Sequence, residues 1–235
     1  FCLRFIAKIA SHLHIHQFQD FSNSLIALVG SFSIGPELLG AAMSALVEIA
    51  RRCNDSNDIL IVCSRLIKDL YQRCEEEMSL FVTNGKGDEK RLVRSIFLTG
   101  ELAMIGFKSD EDSISKESRG TASDRLAGFY EKPSQQLLSL GQMMLASNLP
   151  QSDVETPEAA RAHAFVTLGK LCLRDEALAK KCLNLFAREL HQSITETSAS
   201  VKSNALLVMG DLYVRYTNLV DRYLPVMAAC LQAGI

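Results

Sequence analysis

The sequence predicts an all-α protein, built as a solenoid of stacked helical hairpins. Three observations point there. Apolar residues recur at helical spacing almost throughout, and sustained strand alternation is nearly absent. The 235 residues hold only 13 Gly and 5 Pro, too few turn residues for a sandwich of many short strands. A helical unit around Gly169 also recurs around Gly210. Composition agrees: 48% apolar residues and 25 basic against 27 acidic side chains exclude a disordered chain, and the length suffices to bury a core. A net charge of −2 supplies no global basic field. The chain opens on Phe1 and reaches Ile235 within an apolar stretch, so it reads as part of something longer.

Taken in order, the elements are these. Pro36 and Glu37 start a helix, since proline suits the first turn and an acid suits the positive end of the helix dipole. Leu38, Leu39, Ala42, Ala45, Leu46 and Ile49 form its apolar face, which ends near Arg51-Arg52-Cys53. Asn54-Asp55-Ser56-Asn57 is a turn with a choice of N-caps. The next helix carries Ile59, Leu60, Cys63, Leu66, Ile67, Leu70 and Tyr71. Asn84-Gly85-Lys86-Gly87 breaks the chain, and a helix resumes over about 88–105. Residues 107–132 are rich in Ser, Asp, Glu and Lys and read as a solvated insertion. After Pro133 an apolar-periodic segment leads to a turn region over 148–155. Helices follow over about 157–173, 176–191, 199–216 and 219–231.

The repeat supports this order. Ala160-Arg161-x-x-Ala164-x-x-x-Leu168-Gly169-Lys170-Leu171 overlays Val201-Lys202-x-x-Ala205-x-x-x-Met209-Gly210-Asp211-Leu212. The shift, about 41 residues, falls within the period of HEAT or armadillo units. Gly100-Glu101-Leu102 precedes Gly169-Lys170-Leu171 by one such period plus a stretch close to the length of the polar insertion. Leu38, Ala42, Leu46, Val47 and Ile49 make a fainter copy. The small residues let neighbouring helices approach, and Arg161 and Lys202 are expected at a helix edge with wet charges.

Seven cysteines, at 2, 53, 63, 74, 172, 182 and 230, include no Cys-x-x-Cys pair. They read as small hydrophobes of a reducing compartment. Arg4 and Lys8 interrupt the first apolar run, which has no clean signal-peptide cleavage site. Gly35-Pro36 cuts the apolar stretch 25–47 well short of the roughly 20 residues that span a bilayer. The expectation is a soluble, intracellular protein with no membrane contact.

No enzyme class emerges, and no cofactor or small-molecule substrate is expected. His12, His14 and His16 lack the further ligands of a zinc site apart from Asp20. Gly30–Gly35 misses the spacing of a nucleophile elbow, and Asn84–Gly87 lacks the ending of a phosphate-binding loop. Glu75, Glu76 and Glu77 are consecutive and fan around a helix end. The basic residues form candidate ridges for DNA or partner contact: Arg51 and Arg52 with Arg65, Lys68 and Arg73; Lys90 and Arg91 with Arg94; Lys180 and Lys181 with Arg188. Ser109, followed by three acidic residues, is a candidate phosphorylation site.

The stretches 161–173, 175–181, Val208-Met-Gly-Asp-Leu-Tyr-Val-Arg-Tyr-Thr217 and Val220-Asp-Arg-Tyr-Leu-Pro225 resemble the D-type HEAT subunits of condensin, closest to the one in condensin II. The clear match spans about 158–232. The resemblance implies a non-enzymatic regulatory subunit of nuclear chromosomes. It would work with an SMC ATPase pair and a kleisin chain in mitotic chromosome condensation, touching kleisin and DNA. Three regions are expected: helical repeats over 1–106, the polar insertion over 107–132, and the family-like repeats over 133–235. A HEAT or armadillo adaptor in transport or phosphatase scaffolding is the competing reading.

Overall fold

The computed structural model describes residues 15–53, 56–85, 87–107, 126, 128–146, 155–192 and 198–233. Every regular element among them is helical: α1 (Ile15–Gly30), α2 (Pro36–Cys53), α3 (Ser56–Asn84), α4 (Glu89–Ala103), α5 (Gln135–Met143), α6 (Glu158–Arg174), α7 (Glu176–His191), α8 (Ala199–Arg215), α9 (Thr217–Val220), a 3-10 turn (Asp221–Tyr223) and α10 (Leu224–Gln232). Side-chain caps set four of the starts. Asp88, Ser134, Asp175 and Ser198 each accept a backbone N–H of the first turn that has no partner inside its own helix.

The helices form two layers. α2, α4, α6 and α8 stand side by side in one, and α3 with α5, then α7 with α10, neighbour each other in the second. One apolar core runs between the layers, with Leu98, Leu102, Phe165, Leu168, Leu183, Phe186, Met209 and Leu212 among its buried members. This is the α-solenoid expected from periodicity and repeat.

The shift that takes Gly169 to Gly210 carries α6 onto α8 at both ends and α7 onto the span 217–232. In the last repeat that span is not one helix, as expected over 219–231, but α9, the 3-10 turn and α10. Pro225 explains the break, because it has no N–H to donate and its ring crowds the preceding turn. The longer shift, from Gly100 to Gly169, likewise carries the start of α4 onto the start of α6.

Three expectations are corrected. Glu75–Glu77 do not sit at a helix end, because α3 runs on to Asn84. Arg161 and Lys202 are not wet: they are 7% and 3% exposed. Arg161 pairs with Glu189 of α7, itself 1% exposed, and donates to the Leu145 carbonyl at 2.7 Å. Lys202 donates to the Gln192 carbonyl, where α7 ends. Finally, the solvation expected over 107–132 does not hold at Leu126, Phe129 and Tyr130, which pack against the solenoid, while Gly128 and Lys132 stay exposed.

Candidate interaction surfaces

Neighbouring helices of the first layer meet along a repeated seam. A Cβ at Gly169 would lie 2.5 Å from a Val208 methyl, and one at Gly100 would lie 2.9 Å from Thr167 Oγ1. Thr167 and Val208 both stand two positions before the repeat glycine of their own helix, so one contact is used twice. Thr167 also donates to the Ile96 carbonyl at 2.8 Å. The ring of His163 meets Phe97 edge-on at 6.0 Å. Burial, and then Lys170, hold the His163 imidazole below its usual pKa, so it is neutral at physiological pH. Lys170 pairs with Glu101 and lies 5.6 Å from the Phe97 ring. At the far end Pro36, Leu38, Phe97 and His163 line an open cleft of about 580 Å³.

A second cluster sits at the C-terminal ends of α6 and α8. Gly106 (φ +74°) and Gly128 (φ +76°) close the base of the polar segment, with the Gly128 N–H donating to the Gly106 carbonyl at 3.0 Å. A Cβ on Gly106 would lie 2.2 Å from the Leu126 carbonyl oxygen, so only glycine fits there. Leu126 packs on Cys63 of α3. The strap then continues along the solenoid. Glu131 accepts from Ser64 at 2.6 Å and pairs with Lys68 at 3.6 Å. Lys132 pairs with Asp175 at 3.3 Å, and Ser134 donates to Glu75. Arg174 donates to the Phe129 carbonyl and lies 4.7 Å from the Tyr130 ring centroid. Phe107 lies 5.5 Å from Arg174 and 5.9 Å from Arg215. Those two arginines hold equivalent positions in α6 and α8, so the repeat places both beside one aromatic ring. Burial draws the Arg174 guanidinium below its usual pKa.

Among the described residues the basic candidates lie apart. Lys90 is exposed at the start of α4, whereas Lys180 and Lys181 are exposed on α7 in the other layer. Lys180 pairs with Glu176 at 2.7 Å. Arg91 is committed to the fold: it grips Glu77 with two hydrogen bonds, of 3.0 and 2.7 Å, and donates to the Ser31 carbonyl. The Glu77 bond raises its pKa further. Arg94 donates to the Phe32 carbonyl at 2.6 Å. The side chains of Arg51 and Arg52, all of Ser109, His12 and His14, and the side chain of His16 lie outside the described residues. Phe107, Arg174 and Arg215 were not singled out from sequence, although extending the overlay three positions past Leu171 and Leu212 pairs the arginines.

Among the described residues no group of His, Cys, Asp or Glu has the composition of a metal site. No described helix is long and apolar enough to cross a membrane. The thiols at 63, 74, 172, 182 and 230 are buried and unpaired by disulfides. Burial pushes Cys63 up to about 11 and Cys74 up to about 12, which keeps both protonated and non-nucleophilic at neutral pH.

Parallel helices meeting at a small residue, backed by a second layer and repeated at the period of the sequence overlay, define an α-solenoid of HEAT-type repeats. A family model described as "Condensin-2 complex subunit D3-like. HEAT repeats" matches residues 89–190. Condensin-2 complex subunit D3-L of Xenopus laevis is 30% identical over 97% of this chain, and condensin-2 complex subunit D3 of Mus musculus is 31% identical over 97%. The chain thus resembles the condensin D-type HEAT-repeat subunits over nearly all of its own length, and it spans 15% of the length of either relative. No solved structure matches it.

Proposed function

We propose that this chain is part of a non-enzymatic regulatory subunit of a condensin II-like complex. In that complex it holds kleisin and DNA during mitotic chromosome condensation in the nucleus. The observation that carries the reading is the family match on a two-layer solenoid, whose extended faces suit scaffolding. ATP hydrolysis belongs, in this reading, to the SMC partners. The three-part division proposed from sequence, with 107–132 as a polar insertion between two repeat arrays, goes with it, as does modification of Ser109.

Co-purification tests the assembly. Tagged full-length protein from mitotic cells is expected to bring down SMC and kleisin chains in stoichiometric amounts. Recovery of transport or phosphatase components in their place would refute the reading in favour of an adaptor. For DNA, Lys90, Lys180 and Lys181 are the exposed candidates. Replacing Lys180 and Lys181 with Gln should lower the slope of log affinity against log salt by roughly 0.9 for each phosphate that is no longer neutralised. An unchanged slope would remove α7 from the DNA path.

A further inference from the structure

We propose that the outward edge of α8 docks one further helix, parallel to α8, with a β-branched residue over Gly210 and a basic residue three positions later beside Asp211. The occupant is the first helix of an additional repeat of the same polypeptide. This goes beyond membership of a condensin complex: it specifies one contact by its chemistry.

The edge of α8 is the edge of α6 displaced by one repeat. On α6 that stripe consists of Val166, Gly169 and Leu173, and α8 covers it. Val208 sits on Gly169, Asn204 donates to the Ala162 carbonyl at 3.0 Å, and the Tyr216 hydroxyl donates to the Leu173 carbonyl at 3.0 Å. On α8 the same stripe is Leu207, Gly210 and Val214. Here Leu207 is 66% exposed and Val214 82%, and a Cβ on Gly210 would meet nothing within 4 Å. Two large aliphatic side chains flanking an open glycine thus repeat, uncovered, a stripe that one helix earlier has its glycine buried and its flanking Val166 and Leu173 half-buried.

Charge selects the occupant. The position after the repeat glycine carries Glu101, then Lys170, then Asp211, and the first two form an ion pair. Alternation places a cation next. Asp211 is exposed on this edge and so open to a neighbouring ammonium or guanidinium. The residue on the glycine is set by the two existing contacts, Thr167 on Gly100 and Val208 on Gly169, and lies three positions before the charged one. A second copy pairing through the same edge would set Asp211 against Asp211 and glycine against glycine, leaving the socket empty and the like charges opposed. The relatives, of which this chain spans 15%, have ample sequence to supply a further repeat.

The test uses the full-length polypeptide with a photo-reactive phenylalanine derivative at Val214, an exposed position that tolerates it. Irradiation is expected to give an intrachain adduct, mapped by peptide mass spectrometry to a helix with a β-branched residue three positions before Lys or Arg. Gly210→Val should cut that adduct about tenfold, as overpacking of a close helix contact predicts. Asp211→Lys should also reduce it, and Asp211→Asn less so. An adduct to a second chain, an adduct mapping to no such helix, or no adduct would each overturn the proposal. A yield indifferent to Gly210→Val would overturn the register.

Discussion

Gly169 and Gly210 occupy the same place in successive repeats but opposite environments, which makes alanine at each a paired experiment. At Gly169 the new Cβ would lie 2.5 and 2.7 Å from the two Val208 methyls and 3.2 Å from its Cβ. Val208 is buried and branched, so it cannot swing away, and such overpacking costs roughly 1–3 kcal/mol. Alanine also gains about 1 kcal/mol of helix propensity over glycine. Gly169→Ala is therefore expected to destabilise by roughly 0–2 kcal/mol, the overpacking less the propensity gain. Gly210→Ala in this same chain meets nothing and keeps the full gain of about 1 kcal/mol. The propensity contribution cancels between the two variants, leaving a difference of roughly 1–3 kcal/mol due to Val208 alone. Val208→Ala by itself should cost about 2 kcal/mol for two buried methyls. In the double variant Gly169→Ala/Val208→Ala the new methyl enters the vacated space, so the cycle should show a favourable coupling of roughly 1–3 kcal/mol. Urea denaturation followed by far-ultraviolet circular dichroism reads all four proteins. Equal midpoints for Gly169→Ala and Gly210→Ala, or strict additivity in the cycle, would refute the close-approach account of the seam.

Glu189→Ala strands the buried Arg161 guanidinium and should cost about 3–5 kcal/mol, whereas Arg161→Met with Glu189→Leu should be close to neutral. Thermal melts of the single and double variants distinguish a structural pair from an incidental one. Asp175→Ala removes the cap of α7 and the partner of Lys132, for a loss of about 1 kcal/mol at neutral pH. Burial alone would raise the Asp175 pKa, but the Leu178 and Ala177 N–H groups and Lys132 outweigh it and the pKa is lowered. Its contribution is then present above the unfolded carboxyl value of about 3.9 and is lost as pH falls through the lower folded value. The stability gap between wild type and Asp175→Ala should narrow in acid and stay constant from pH 5 to 7; a gap that grows on acidification would contradict the sign.

The helices from Pro36 onward and the repeat behind the seam were legible because each is written at a short, regular interval, whereas the helix over Ile15–Gly30 was not read. Gly169 and Gly210 stand in matching contexts, and the apolar stripes after Pro36 and around Cys63 run at helical spacing. The fate of Arg161 and Lys202 was not legible. Periodicity says which face a side chain occupies but not what lies across from it, and Glu189 belongs to another helix, in the other layer. The ion pair of Arg91 was hidden for the same reason, since its partner Glu77 belongs to the preceding helix. The break at Pro225 did have a signal, because a proline inside a helical pattern kinks or ends it. The strap over 126–133 was hidden by composition: Leu126, Phe129, Tyr130 and Pro133 follow no helical or strand period, and the polar residues before them dominate the average.

That strap alters how the solenoid should respond to stress. In a plain stack each repeat touches only its neighbours, and stability is a sum of nearest-neighbour terms. Here Ser64, Lys68 and Glu75 of α3 share one segment with Arg174 of α6 and with Asp175, and Phe107 reaches on to Arg215 of α8. Opening the α6–α7 hairpin therefore also removes partners of α3, a coupling that skips across a repeat boundary. The Gly106–Gly128 clasp ties the start of the strap to the chain just past α4. Phe107 and the strap thus brace the stack, and a change at the clasp should be felt in α3 and α8 as well as in the hairpin between them.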